Sequence, residues 1–120
     1  MKKMERGIIL KLGVKFKQKY YEQIKSGLKT QTMRMAHGRI DVEPGEKIVA
    51  LFPNGDELLL KITKVGYKAF KSINDEDAKR EGFTSAEELK EELCSIYHNF
   101  KVDDYNRFYY YQFEFTGLSR

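Results

Sequence analysis

One stretch decides how this chain folds: Tyr20-Tyr21-Glu22-Gln23-Ile24-Lys25-Ser26-Gly27-Leu28-Lys29-Thr30-Gln31-Thr32-Met33-Arg34, residues 20–34. Its first half predicts a short helix over 17–26 that Gly27 ends. The apolar face of that helix holds Tyr20, Tyr21, Ile24 and Leu28. Its second half predicts a strand whose one face carries three polar side chains, those of Thr30, Thr32 and Arg34. Such a face is a plausible site for an anionic or polar ligand.

The segments around this stretch predict further strands. Residues 8–16 alternate between two faces with a period of two, which indicates a half-buried strand. Strands are also predicted over 46–52 and 58–62, joined by a turn at 53–56 whose Asn-Gly step is a strong hairpin signal. The strand over 58–62 continues through 65–67 after a change of phase in its apolar pattern, which indicates a bulge.

Two helices and a closing strand complete the pattern. The acids after Asn74 suit the first turn of a helix that Gly82 ends, and Thr84 with Glu87 resembles a capping box for the next helix. The apolar stripe of that helix is Ala86, Leu89, Leu93, Ile96 and Tyr97. The closing strand points Tyr109, Tyr111, Phe113 and Phe115 to one face. This order predicts an α+β fold, a small barrel or curled sheet of about five to six strands with two or three marginal helices.

Composition describes a charged but ordinary globular chain. Its 120 residues are 41% hydrophobic and 33% charged, which suits one domain spanning 1–120. No apolar run has the length of a membrane span, and Met1 to Glu5 lack a signal-peptide core, so we expect a cytoplasmic protein without membrane contact. The lone Cys94 forms no internal disulfide. The net charge of +4 mildly favours polyanions, although surface lysines that only solubilise the domain are an equally simple explanation.

Other chemistries find little support in the sequence. His37 and His98 lack partners at ligand spacing, so we expect no metal site, and no nucleotide-binding glycine motif points to a cofactor. The aromatic run 108–111 is more typical of core packing. Alternation leaves Tyr110 and Phe108 as the members able to stack on bases. In the loop after the second strand, Arg39 is a candidate phosphate contact.

The chain resembles the ASCH domain family, a branch of the PUA-like β-barrels, over nearly its whole length. The resemblance rests on residues 20–34, on Pro44-Gly45-Glu46-Lys47-Ile48, on Ala78-Lys79-Arg80-Glu81-Gly82-Phe83 leading into Glu88-Leu89, and on the strand from Phe108 to Phe115. It implies a barrel with a cleft beside the strand after the first helix, and a partner that is RNA or a modified nucleoside. The small acetylcytidine amidohydrolases are the most similar members in motif.

This resemblance also implies site residues. The amidohydrolases use a lysine, a threonine and a glutamate, which correspond here to Lys29, Thr32 and Glu81, with Arg34 beside them. Thr32 would attack an amide carbonyl, Lys29 would take its proton, and Glu81 would assist the leaving group. Thr30, on the same predicted strand face, is a competing nucleophile and a further ligand contact.

Each of these residues also has a structural explanation. Lys29 would offset a helix dipole, Thr32 would serve strand propensity, and Glu81 would be a solvated acid at a helix end. The segment 35–43 is longer and more basic than in the compact amidohydrolases, and Gly45-Glu46 replaces their Gly-Asp. We therefore rank RNA or nucleoside binding first, the amidohydrolase second and a ribonuclease third. The oligomeric state stays open.

Overall fold

Five strands form one curled sheet in the computed structural model, which describes residues 12–118. The strands are β1 (Leu12–Lys15), β2 (Gln31–Arg34), β3 (Lys47–Leu51), β4 (Glu57–Ala69) and β5 (Arg107–Leu118). The helices are α1 (Tyr21–Lys25), α2 (Asp75–Glu81) and α3 (Ala86–Ile96), with short 3₁₀ helices at Gln18–Tyr20, Ala36–Gly38 and Phe70–Ser72. The predicted α+β class and element count are confirmed; positions 8–11 of the predicted first strand lie outside the described residues.

The sheet order β1-β3-β4-β5-β2 places two strands that are consecutive in the chain at opposite edges. Only β1 and β3 pair in parallel; the other pairs are antiparallel. The two edges nevertheless meet, because Arg34 Nη2 on β2 donates to the Lys15 carbonyl on β1 at 3.0 Å. The Arg34 guanidinium also lies 5.1 Å from the centre of the Phe16 ring. The curled sheet is therefore a half-barrel whose edges a side chain joins.

The predicted hairpin and bulge are both confirmed. Leu51 on β3 pairs with Glu57 on β4, and the turn between them contains Gly55 at a φ of +96°, where glycine is favoured. On β4 the register with β5 shifts between Ile62 and Lys64, where the apolar pattern changes phase.

One face of the sheet is buried along its length, the other is buried where α2 and α3 cover it, and this overturns one expectation. One face packs a cluster around β1, β3, β4 and α1, and the other packs a cluster beneath α2 and α3. Phe108, expected to be available for stacking, is completely buried in the second cluster. Since helices cover that face at the start of β5, alternation there separates two interiors, whereas Glu114 and Thr116 further along the strand are exposed.

Three local expectations about helices were also wrong. Leu28 is 58% exposed, because the chain leaves the helical path at Gly27 with a φ of +84°. Ile96 is 38% exposed because it is the last residue of α3, beyond the buried Leu89 and Leu93. The helix α3 is capped one residue later than predicted: the Ser85 side chain accepts from the Glu88 N–H.

Candidate functional site

Backbone hydrogen bonds fix the approach to β2. The Lys29 N–H donates to the Gln23 carbonyl at 2.9 Å, and the Thr30 N–H donates to the Arg80 carbonyl at 2.7 Å. The Thr30 carbonyl in turn accepts from the Phe113 N–H at 2.9 Å. The glycine stop therefore delivers Lys29 between the ends of α1 and α2. Thr30, predicted as a ligand contact, is half-buried and serves this anchoring through its backbone.

Lys29 and Glu81 form a buried ion pair. The Lys29 Nζ lies 2.9 Å from Glu81 Oε1 and 3.3 Å from the Glu81 carbonyl, and the two side chains are 2% and 4% exposed. The ammonium also lies 4.4 Å from the centre of the Tyr20 ring, in cation–π range. A solvated acid at the end of α2 and a lysine that only faces a helix dipole are both incompatible with this burial.

Glu81 is only partly satisfied by its partner. Its second oxygen, Oε2, is buried and has no hydrogen-bond partner within the described part of the chain. Burial raises the pKa of Glu81, and the Lys29 charge opposes that shift without cancelling it. A buried carboxyl with a raised pKa and a free oxygen is suited to accept a ligand N–H, or to hold and pass on a proton.

Thr32 and Arg34 form a second pair of predicted site residues in contact. The Thr32 hydroxyl is buried and accepts from Arg34 Nε at 3.4 Å. Burial lowers the pKa of Arg34, although a guanidinium stays charged at any physiological pH. Phe16 beneath Arg34 and Tyr20 beneath Lys29 belong to the same short segment between β1 and α1. We call Lys29, Glu81, Thr32 and Arg34, which the described contacts join as two separate pairs, the β2 cluster.

A second polar network lies behind β2, and sequence reasoning missed it. Gln31 is completely buried, donates to Asp77 Oδ1 at 3.3 Å and accepts from Gln112 at 3.1 Å. The other oxygen of Asp77 receives Lys68 Nζ at 2.7 Å. The sequence does contain a pattern that indicates the position of Asp77. Asn74 and Asp77 have the spacing of a capping box, and the structure contains that capping box. This network fixes α2, and therefore Glu81, against the sheet.

Tyr110 and Arg39, the remaining predicted ligand contacts, form their described contacts with residues outside the β2 cluster. Tyr110 lies on the helix-covered face and packs against Gly66, where an added Cβ would lie 2.4 Å from the Tyr110 hydroxyl. Arg39 is exposed and lies 4.8 Å over the Tyr109 ring. It borders a surface groove of about 430 Å³ between residues 39–42 and the neighbouring ends of β4 and β5.

Two features are absent from the described residues, 12–118. No three His, Cys, Asp or Glu side chains there are grouped so that they could hold a metal ion. None of the helices in that range is both long and apolar enough to cross a membrane.

Solved structures with the same fold include three proteins. EF3133 from Enterococcus faecalis V583, described by the family model DUF984, superimposes with a TM-score of 0.79 at 16% identity, over 92% of this chain and 79% of its own. An ASCH domain from Lactobacillus crispatus JV V101 gives 0.68 at 15% identity, over 78% and 68%. The hypothetical protein PH0355 gives 0.68 at 22% identity, over 89% and 100%.

Sequence comparison adds no relative to these. No family model and no curated protein matches this sequence. The structural matches show an ASCH-like fold, as the resemblance in residues 20–34 and the later segments implied.

Proposed function

We propose that this ASCH-like domain binds RNA or a modified nucleoside, and that the β2 cluster contacts the ligand. The buried Lys29–Glu81 pair carries the proposal. Placing an ion pair in the interior costs desolvation energy, and leaving one carboxylate oxygen without a partner adds to that cost. A buried ion pair that lowers the stability of the fold in this way is typical of a ligand-binding site.

The chemistry of the β2 cluster matches a nucleoside. Glu81 Oε2, which is buried in the structure, would accept from an exocyclic amine or a ring N–H of a base once the surrounding side chains move to admit it. Arg34 uses Nε for Thr32 and Nη2 for Lys15, which leaves further N–H donors on its planar fork. Such a fork binds carbonyl and phosphate oxygens. The net charge of +4 adds a general attraction to polyanions.

Binding measurements with conservative variants test this proposal. Thr32→Val keeps the side-chain shape and removes the hydroxyl, whereas Arg34→Gln removes the charge. We expect each to weaken binding of a fluorescein-labelled single-stranded RNA by about tenfold, since hydrogen bonds to charged groups contribute roughly that factor. Lys47→Gln, an exposed charge on β3, is the matched control. Wild-type affinity in both cluster variants would exclude the β2 cluster as the contact surface.

A second candidate, an amidohydrolase for an acylated nucleoside such as acetylcytidine, is favoured by the contact between Lys29 and Glu81. In that reaction the Thr32 oxygen would bond to the acyl carbon, the C–N bond would break with a proton delivered to the amine, and water would release the acid. We rank it second because both hydrogen bonds of Lys29 Nζ go to Glu81 in the described structure, whereas Thr32 contacts Arg34. A threonine nucleophile needs a base within reach.

Cytidine release from acetylcytidine decides between the two candidates. Turnover by the wild type that is lost in both Lys29→Ala and Thr32→Ala supports the enzyme. RNA retention that weakens with salt, without turnover, supports the binding domain.

A further inference from the structure

Part of the mouth of the groove of about 430 Å³ is formed by side chains that belong to neither core. The mouth carries two arginines, Arg39 from the 39–42 segment and Arg107 from the start of β5, and two tyrosines, Tyr67 on β4 and Tyr109 on β5. The apolar floor, which includes Val65, packs against the first core cluster, and so does Tyr109. Packing therefore explains the floor and Tyr109, but not the two arginines and Tyr67.

The two arginines contact aromatic rings instead of carboxylates. The Arg107 guanidinium lies 4.1 Å from the centre of the Tyr67 ring, and that of Arg39 lies 4.8 Å from the Tyr109 ring. The two rings are themselves 5.8 Å apart. Within residues 12–118, the ion pairs are formed by lysines with Glu92, Glu81 and Asp77, and neither groove arginine takes part. Both guanidinium charges are therefore available to an anion.

Tyr67 belongs to neither core cluster. It is 58% exposed and lies near the end of β4, beyond the residues that pair with β3, on the face that buries Tyr111. An exposed aromatic ring beneath an arginine in a concave surface is a stacking platform for a nucleobase, and paired guanidinium groups bind phosphate. A lone exposed pair of a cation and a ring also occurs elsewhere, at Lys71 and Tyr105, but that pair does not line this groove.

The groove and the β2 cluster lie on one row of the sheet. Arg34 on β2 pairs with Tyr109 on β5, and Tyr109 pairs with Tyr67 on β4. Side chains of directly paired residues share a face, so these three project to the same side. At the usual strand spacing, Arg34 and Tyr67 are about 10 Å apart along this row. A short single strand could therefore contact both places at once.

We propose that this groove binds a second nucleotide of a single-stranded RNA whose neighbouring nucleotide occupies the β2 cluster. Arg39 and Arg107 contact phosphate oxygens, and Tyr67 stacks on the base. This proposal rests on the proposed function, because the β2 cluster binds the same RNA strand. It assigns this chain an extended single-stranded ligand in place of a lone nucleoside.

Fluorescence anisotropy with a labelled 12-nucleotide single-stranded RNA tests the groove. We expect Arg39→Gln and Arg107→Gln each to weaken binding by about tenfold, and each to lower the slope of log affinity against log salt by about 0.7, the value for one phosphate on a single strand. Tyr67→Ala should weaken binding at least about fivefold through lost stacking. Lys71→Gln and Tyr105→Ala alter an exposed cation and ring outside the groove and should stay within twofold of the wild type.

An optical reporter checks the stacking step directly. The chain contains no tryptophan, so Tyr67→Trp introduces a single indole signal. Its emission should be quenched as RNA is added, with the same midpoint as the anisotropy titration. Unchanged emission during saturating binding would overturn the assignment of Tyr67 as the platform.

The outcomes separate the groove from the cluster. If Thr32→Val and Arg34→Gln weaken binding while the groove variants bind like the wild type, the groove inference is wrong and the proposed function stands. If only the groove variants weaken binding, the groove is an RNA site and the role given to the cluster is wrong. If the wild type retains no RNA at low salt, both are wrong. Equal affinity for single-stranded DNA would remove RNA selectivity from the proposal.

Discussion

At the scale of single residues, the ion pair between Lys29 and Glu81 is unusual because both side chains are buried. A lysine and a glutamate are both almost completely buried, and each is the charged partner of the other. Replacing one partner leaves the other as an unpaired charge in the interior, whereas replacing both by apolar residues leaves no buried charge. The pair should therefore behave very differently in single and double variants.

A double-mutant cycle measures that dependence. We expect Lys29→Met and Glu81→Leu each to lower the free energy of unfolding by about 3–5 kcal/mol, and the double variant to lose less than either single variant. Urea unfolding gives all four values. Lys17→Met, which removes a half-exposed partner of Glu92, is the control and should cost less than about 1 kcal/mol. Additive losses at residues 29 and 81 would contradict the coupling.

Glu92 should make stability depend on pH in the acid range. Burial alone would raise the pKa of Glu92, but hydrogen bonds from the Tyr20 hydroxyl and from two lysines lower it to about 2, from an ordinary value of 4.5. A carboxyl with a lowered pKa stabilises the folded state above its unfolded value and loses this contribution as the pH falls. Glu92 also orients Tyr20, the ring beneath Lys29.

Comparison with Glu92→Gln tests this dependence. At neutral pH the variant should be less stable than the wild type by about 1–2 kcal/mol, because it loses hydrogen bonds to a charged group. The difference should shrink as the pH falls from 4.5 toward 2. Thermal melts across this range give the values, with the exposed neighbour Glu91→Gln as the control. A difference that does not vary with pH would rule out this role.

At the scale of elements, the chain has little room at the end of α2. Gly82 ends the helix at a φ of +89°, and a Cβ there would lie 2.5 Å from Gln23 Oε1 and 3.8 Å from Lys29 Cβ. Gly45 has a similar φ of +96° with open space around it. The two glycines therefore share the backbone requirement but differ in their surroundings.

That difference gives a matched pair of variants. Gly45→Ala should lower the free energy of unfolding by about 1–2 kcal/mol, from backbone strain alone. Gly82→Ala should cost more, and should also weaken ligand binding because it displaces the residues that surround Lys29 and Glu81. Chemical unfolding and RNA anisotropy measure the two effects. Equal costs at both positions would show that the contact with Gln23 is unimportant.

Elements were predictable where one local pattern decides them. The Asn54-Gly55 step and the phase change after Ile62 determine the hairpin and the bulge through neighbouring residues alone, and both are present. The cap of α3 was misplaced by one residue because Thr84 and Ser85 are both capping residues, and only packing selects between them. The long-range contacts of Gln31 and Asp77 have no comparable local pattern.

At the scale of the whole molecule, the sheet joins two cores. Tyr111 and Phe113 on β5 belong to the first cluster, and Phe108 on the same strand belongs to the second. Because one strand contributes to both, neither core can be lost while the other keeps its full packing. A single domain over 1–120 stays a prediction, which cooperative unfolding would support.

Unfolding in urea should therefore be a single cooperative transition. Far-UV circular dichroism, which reports the backbone, and tyrosine fluorescence, which reports both cores, should give the same midpoint and slope. Separate midpoints would show that α2 and α3 unfold independently of the sheet.

The parts of the site could be predicted to the extent that they lie close together in the chain. Lys29, Thr32 and Arg34 come from one segment and were identified from it, with Glu81 supplied by the family resemblance. The groove joins Arg39, Tyr67 and Arg107, which are distant in the chain, and only strand register brings them together. Tyr67 and Arg107 were accordingly missed.

The junction between β1 and β2 has a consequence for motion. Neighbouring strands in the sheet are held by ladders of backbone hydrogen bonds, whereas within residues 12–118 the hydrogen bond between β1 and β2 comes from the long, rotatable side chain of Arg34. Local unfolding begins where the fewest contacts hold the structure, so transient opening should begin at the junction of β1 and β2. Deuterium should therefore exchange into amides of β1 and β2 before those of central β4. A ligand that occupies the guanidinium would then alter how often the barrel opens.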